Sequence, residues 1–226
     1  MYGTTFFSTS GNLSGGNAID AQAQFTFGTG TIQITLTNLI TDQTDVGQDL
    51  NGIIFTIPGS YTTNIGSVTS FSATDRVSIS KNVAGGWTDS SDTTNNWFFT
   101  NTSNNFDFTT IGNPGAAYTI LGGPNTGNNE YTNVNGSLKT GNPHEPFLAI
   151  SATWLLSVPG VTAADEASIT GVSFSFGTQT NEGGAQTGDP CPSCVSGNAP
   201  PIPEPFSLGL VGSGLLLLGL RRKFLS

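Results

Sequence analysis

Between Phe25 and Thr37 apolar and polar side chains alternate, Phe25 and Phe27 before Gly28-Thr29-Gly30, and Ile32, Ile34 and Leu36 interleaved with Gln33, Thr35 and Thr37 after it. A period of two places one set of side chains on each face of a pleated strand, so this stretch predicts a hairpin of two half-buried strands turning at Gly28-Thr29-Gly30. The same texture continues along the chain. Residues 52–57, 67–73, 76–80, 96–100, 106–109, 147–158 and 168–176 are rich in β-branched and aromatic side chains, with Gly, Pro, Asn or Asp in nearly every gap. Only residues 161–167 offer a short helical possibility, because Gly and Asn elsewhere carry poor helix propensity. The expectation is an all-β fold: an antiparallel β-sandwich of Greek-key or jelly-roll type, with the phenylalanines on its inner faces.

The chain of 226 residues is long enough to bury a core of this kind without a metal. Phe25-Thr26-Phe27-Gly28-Thr29 recurs in form as Phe174-Ser175-Phe176-Gly177-Thr178, which suggests first and last strands lying together. A domain of residues 1–178 is therefore expected. Residues 179–202 lose the apolar period and turn to Gly, Pro, Ser and Asn, which reads as a flexible linker. Residues 203–226 form a separate tail.

Charge limits the function classes. Charged residues make up 9% of the chain and the net charge is −9. Arg221, Arg222 and Lys223 lie in the tail, which leaves Arg76, Lys81 and Lys139 against every acidic residue except Glu204. Such a body repels phosphate backbones and lacks the cations whose counterion exchange drives nucleic-acid binding, so no nucleic-acid partner is expected. Neutral glycans or cations remain compatible with it. The start, Met1-Tyr2-Gly3-Thr4-Thr5-Phe6-Phe7, has neither a basic segment nor the apolar run of an export signal, so an upstream segment is expected.

In the tail, Pro203-Glu204-Pro205 is followed by an uncharged apolar run over residues 206–220 and then by Arg221-Arg222-Lys223. As a helix this run of fifteen residues spans about 22 Å, short of the roughly 30 Å hydrocarbon core of a bilayer. Membrane thinning and snorkelling cations close that gap, with the cations left on the cytoplasmic side. Pro203 and Pro205 hold the entry extended, and Glu204 sets a charge at the outer boundary.

The order of these three parts resembles the PEP-CTERM sorting signal of bacterial envelope proteins. The departure is Phe224-Leu225-Ser226, which runs past the basic cluster. The resemblance implies recognition of Pro203-Glu204-Pro205 by an exosortase-type processing enzyme, a membrane-tethered or released extracellular location, and a biofilm or exopolysaccharide context. The body is similar to one recurrent uncharacterised type of PEP-CTERM protein, through residues 25–32, 141–148, 158–162 and 174–178. That resemblance implies no activity.

Individual residues support no catalytic centre. His144, the single histidine, stands between Pro143 and Glu145-Pro146 and reads as part of a rigid turn feeding the Phe147 strand; a base or ligand there would lack companions. Asp42, Asp45 and Asp49 crowd one polar stretch that could hold calcium, but no EF-hand or RTX spacing is present, and a solvated loop is the expectation. Asp89 and Asp92 read the same way. Neither a Gly-x-Ser-x-Gly elbow nor an HExxH helix appears, and scattered carboxylates cannot be paired into a glycosidase site from sequence.

Trp87, Trp97 and Trp154 with Tyr61, Tyr118 and Tyr131 offer a sugar-stacking platform if they are exposed. The runs around Trp97 and Trp154 look like core strands, and Trp87 is expected to be exposed. Cys191-Pro192-Ser193-Cys194 has the spacing of a redox pair, half a metal site or a small disulfide loop, and a local disulfide or an incidental pair is expected. No cofactor or metal is called for. Three functions stand: an exported envelope or matrix protein, a carbohydrate-binding module, and an unrecognised hydrolase.

Overall fold

The computed structural model describes residues 4–13, 16–59, 61, 67–73, 75–83, 86–90, 95–110, 117–139, 141, 143–179, 185–191 and 194. The chain divides into a unit of Met1–Pro192 and a second of Ser193–Ser226. Of the second only Cys194 is described, so Pro203, Glu204, Pro205, the apolar run and Arg221-Arg222-Lys223 lie outside the described residues.

The first unit is all-β. Its strands, in chain order, are β1 (Thr5–Asn12), β2 (Ala18–Gly28), β3 (Thr31–Asn38), β4 (Leu50–Thr56), β5 (Ser67–Ala73), β6 (Arg76–Ile79), β7 (Trp87–Asp89) and β8 (Phe98–Thr102). They continue as β9 (Asn105–Thr109), β10 (Ile120–Leu121), β11 (Phe147–Ala149), β12 (Ser151–Ser157), β13 (Thr170–Phe176), β14 (Gln186–Thr187) and β15 (Asp189–Pro190). One sheet runs β15-β1-β2-β3-β12-β5; the other runs β14-β13-β4-β10-β11-β6-β7, with the β8–β9 hairpin also joined to β4. Pairing is antiparallel apart from β10 with β11.

The hairpin read from the sequence is present: β2 and β3 pair from Ala21↔Asn38 to Gly28↔Thr31, turning at Thr29-Gly30. The alternation then does its work. Phe25, Phe27, Ile32, Ile34 and Leu36 are fully buried, as are Trp154 and Leu156 on the neighbouring β12. From the other sheet Ile53, Phe55, Phe106, Phe108, Phe174 and Phe176 join the same core. Phe25 meets Phe55 edge-on at 5.0 Å, and Phe55 stacks on Phe106 at 5.3 Å. Trp154 packs on Trp97 at 4.6 Å and on Phe108 at 5.0 Å, so aromatic rings tie the two sheets together. Full burial of each such ring is worth about 1.5–3 kcal/mol, and each well-placed pair adds about 0.5–1.5 kcal/mol.

Three expectations change. The strand expected over 147–158 is two strands in different sheets, broken at Ile150, whose φ is 61°. The Ile150 N–H donates to Leu121 O while its carbonyl accepts from Asn38 N, so this one residue is bonded to both sheets. The unbroken apolar run Phe147-Leu148-Ala149-Ile150 conceals the switch because each half buries on its own. The short helical possibility near 161–167 is a 3-10 helix, Ala163–Ser168, which ends before β13 begins.

The third change concerns the segment expected to be a linker from 179. β14 pairs with β13, the outer strand of one sheet, and β15 pairs with β1, the outer strand of the other, with Cys191 N donating to Phe6 O. Between them Gly188 lies so close to the core that a Cβ would stand 2.7 Å from a Phe174 ring carbon and 2.9 Å from a Val172 methyl. Residues 186–190 therefore fasten both sheets along one flank. Their pairing is through backbone groups, which leave no apolar period in the sequence.

Candidate functional site

The polar residues of the unit concentrate where the loop after β3 meets the approach to β10. The loop carries Asp42, Asp45 and Asp49, and the three side chains diverge. Asp45 starts the 3-10 turn Val46–Gln48: its Oδ1 accepts from Gly47 N at 2.8 Å, its Oδ2 accepts from Asn17 Nδ2 at 2.7 Å, and Gln48 Oε1 accepts in return from Asp45 N and Thr44 N. These reciprocal bonds satisfy donors that a helix start otherwise leaves open.

Asp42 sits at φ 51°, a conformation Asp tolerates better than most residues. Its carboxylate accepts from Thr132 N, Thr132 Oγ1, Asn133 N and Asn133 Nδ2, tying the loop to residues 132–133. Partial burial pushes its pKa up, but the hydrogen bonds from Thr132 and Asn133 outweigh that and leave it below the usual carboxylate value.

Asp49 is fully buried. Its Oδ1 accepts from Gln43 Nε2 and its Oδ2 from Thr119 Oγ1 at 2.7 Å. Burial drives its pKa up to about 8, against the opposing pull of Thr119 and Gln43, with the charge of Asp45 adding to the rise. Gln43 Oε1 in turn accepts from Gly122 N at 2.7 Å, and the Tyr131 hydroxyl donates to Gly122 O. Burial, with the charges of Asp49 and Asp42 behind it, raises the Tyr131 hydroxyl pKa as well.

Gly122 is required at its position, since a Cβ there would lie 2.1 Å from Ile40 O. Gln43, Asp49, Thr119 and, through Gly122, Tyr131 thus form one buried hydrogen-bonded set, and Tyr131 also belongs to the smaller apolar cluster with Val77, Leu121, Val134, Leu138 and Phe147. Asn38 extends it, donating through Nδ2 to Gln48 O and Ile120 O, both at 2.9 Å.

The expectation of a solvated loop is corrected for Asp49, which is sealed in and held by neutral donors. Asp42, Asp45 and Asp49 do not converge, and no group of three His, Cys, Asp or Glu fit to hold a metal occurs among the described residues. Asp89 closes β7, and Asp92 lies outside the described residues. His144 is half-buried in the turn before Phe147. Cys191 and Cys194 are both disulfide-bonded.

The aromatic platform dissolves: Trp97, Trp154, Tyr118 and Tyr131 are buried, and Trp87, expected to be exposed, is half-buried with its ring centroid 6.2 Å from that of Tyr131. Tyr61 is half-buried against Phe106.

Sequence reasoning missed Gln43, Thr119 and Gly122, which stand far from Asp49 in the chain or in polar runs with no period, and read Tyr131 only as a platform aromatic. Glu166 was missed too; it is buried and accepts from Phe27 N at 2.9 Å and Thr5 Oγ1 at 3.2 Å. The one available signal was Asp49-Leu50-Asn51, where polar side chains enter an apolar strand. The chain matches no protein-family model, and comparison with curated proteins and with solved structures finds no relative.

Proposed function

We propose that this chain is an exported protein of the bacterial cell envelope or extracellular matrix, delivered by its C-terminal signal and acting through its β unit as a structural or adhesive element rather than as an enzyme. The observation that carries the reading is the order of Pro203-Glu204-Pro205, the apolar run 206–220 and Arg221-Arg222-Lys223. An exosortase-type enzyme is the partner that would read it, and the membrane the surface that would hold it. The disulfide-bonded state of Cys191 and Cys194 supports an oxidising location. The finer fold reading, a Greek-key or jelly-roll sandwich, is supported by the chain's passage from β3 in one sheet to β4 in the other and its return to β3 through β12.

Non-enzymatic action is supported by the way the carboxylates are spent: Asp42, Asp45, Asp49 and Glu166 each accept hydrogen bonds that hold the fold. Extracellular polysaccharide remains the ligand class compatible with an acidic, weakly charged body, although the burial of most large aromatics counts against stacking on sugars.

The test is cell fractionation of the chain fused to an export signal, with and without residues 203–226. The intact form should reach the membrane and then the medium, and the truncated form should bypass the membrane. Retention of the intact form in the cytosol overturns the reading.

A further inference from the structure

We propose that Thr119 and Gln43 become joined by an intramolecular ester, formed in the folded protein by loss of ammonia from the Gln43 carboxamide. The inference stands on the geometry of the buried set and does not depend on export.

Every part of an acyl transfer is present within it. Thr119 supplies a hydroxyl, Gln43 an acyl carbon, and the two are held to opposite oxygens of one carboxyl group, that of Asp49. The Gly122 N–H, 2.7 Å from Gln43 Oε1, points at the oxygen on which negative charge develops when the carbonyl is attacked. Gly122 is held on its carbonyl side by the Tyr131 hydroxyl, which donates to Gly122 O. On the other side Tyr118, with φ 68° and its N–H held by Pro146 O at 2.7 Å, fixes the backbone immediately before Thr119.

All three reacting side chains are buried: Gln43 at 1% exposure, Asp49 and Thr119 at 0%. Water, which would compete for the acyl carbon, is excluded, and a held hydroxyl acts at a very high effective concentration.

The step balances without an external reagent. Asp49 Oδ2 takes the Thr119 hydroxyl proton as Oγ1 bonds to Gln43 Cδ, and the oxygen that becomes anionic is held by Gly122 N–H. Asp49 then gives the proton to Nε2, the C–N bond breaks, and ammonia leaves. One O–H and one C–N bond are lost, one C–O and one N–H bond are gained, and nothing is oxidised. A carboxyl whose pKa stands at about 8 both takes and returns a proton near neutral pH, which suits this use. The product ties the loop before β4 covalently to the start of β10.

The test is the mass of the reduced, denatured full chain. The wild-type protein should weigh one ammonia less than its sequence, peptide mapping should recover a linked pair containing Gln43 and Thr119, and hydroxylamine should open it. Thr119→Ser should keep the loss, whereas Thr119→Val and Asp49→Asn should restore the full mass. A wild-type chain at full mass overturns the proposal. So does an ammonia loss that maps to a succinimide at Asn51 or Asn135, each followed by glycine, or one that survives in Thr119→Val. The wild-type mass and map decide alone, so the proposal stays falsifiable even where a variant fails to fold.

Discussion

Asp42 and Asp49 stand at the two ends of one loop and are each held by neutral donors, four at Asp42 and two at Asp49, yet their chemistry moves in opposite directions. Asp42 keeps part of its surface in water and collects N–H and O–H donors from residues 132–133, so its charge is favoured. Asp49 receives only Gln43 and Thr119 inside a sealed interior, and desolvation overrides both. Hydrogen bonding alone therefore does not decide the state of a carboxylate. The balance between donors and lost water does, and it reverses within a single turn of chain.

The largest effect should come from removing the buried end. Asp49→Ala leaves the Gln43 amide and the Thr119 hydroxyl without an acceptor in a dry site, and urea unfolding should show a loss of about 4 kcal/mol. A loss no larger than that of an exposed aspartate would break the contrast.

The second effect is in pH. Asp49 has a folded pKa raised above its unfolded value of 3.8, so the folded state holds the extra proton between 3.8 and about 8. Its contribution is full below the lower value and is lost as pH rises toward the upper, with a slope approaching about 1.4 kcal/mol per pH unit. Unfolding midpoints measured from pH 4 to 8 should fall more steeply in the wild type than in Asp49→Asn, and equal slopes would count against a raised Asp49.

Asp42 has the opposite sign and the smallest effect. Its lowered pKa makes it stabilising above the unfolded carboxylate range and neutral once protonated. Asp42→Asn should cost about 1 kcal/mol at neutral pH and nothing measurable in acid. Amide exchange at Thr132 and Asn133 should rise in step, since their N–H groups are the ones released.

The large core was written plainly in the sequence, because Phe25, Ile32, Ile34 and Leu36 reveal their face by period alone and the facing sheet repeats the device in Ile53 and Phe55. Ile150 was illegible: a left-handed backbone in a β-branched residue has no compositional mark, and the apolar run across it looks continuous. Trp87 misled because a glycine-flanked aromatic in a polar stretch resembles a surface residue, whereas it is Tyr131, far along the chain, that half covers it. The Asp49 set stayed hidden for the same reason. Thr119 and Gly122 reach the loop of Gln43 and Asp49 from a distant segment, Thr119 bonding Asp49 and Gly122 bonding Gln43, and no spacing rule links residues that meet only after the strands have paired.

The five residues that fasten the two sheets along one flank also decide how the domain would bear load. Tension on the chain beyond Cys191 enters through β15, passes Gly188 against the ring of Phe174, and only then reaches β14, the two strands having two residues each. Those short ladders would peel one bond at a time instead of shearing together. The first event under force would thus be release of slack from this flank, while the aromatic core behind it still holds.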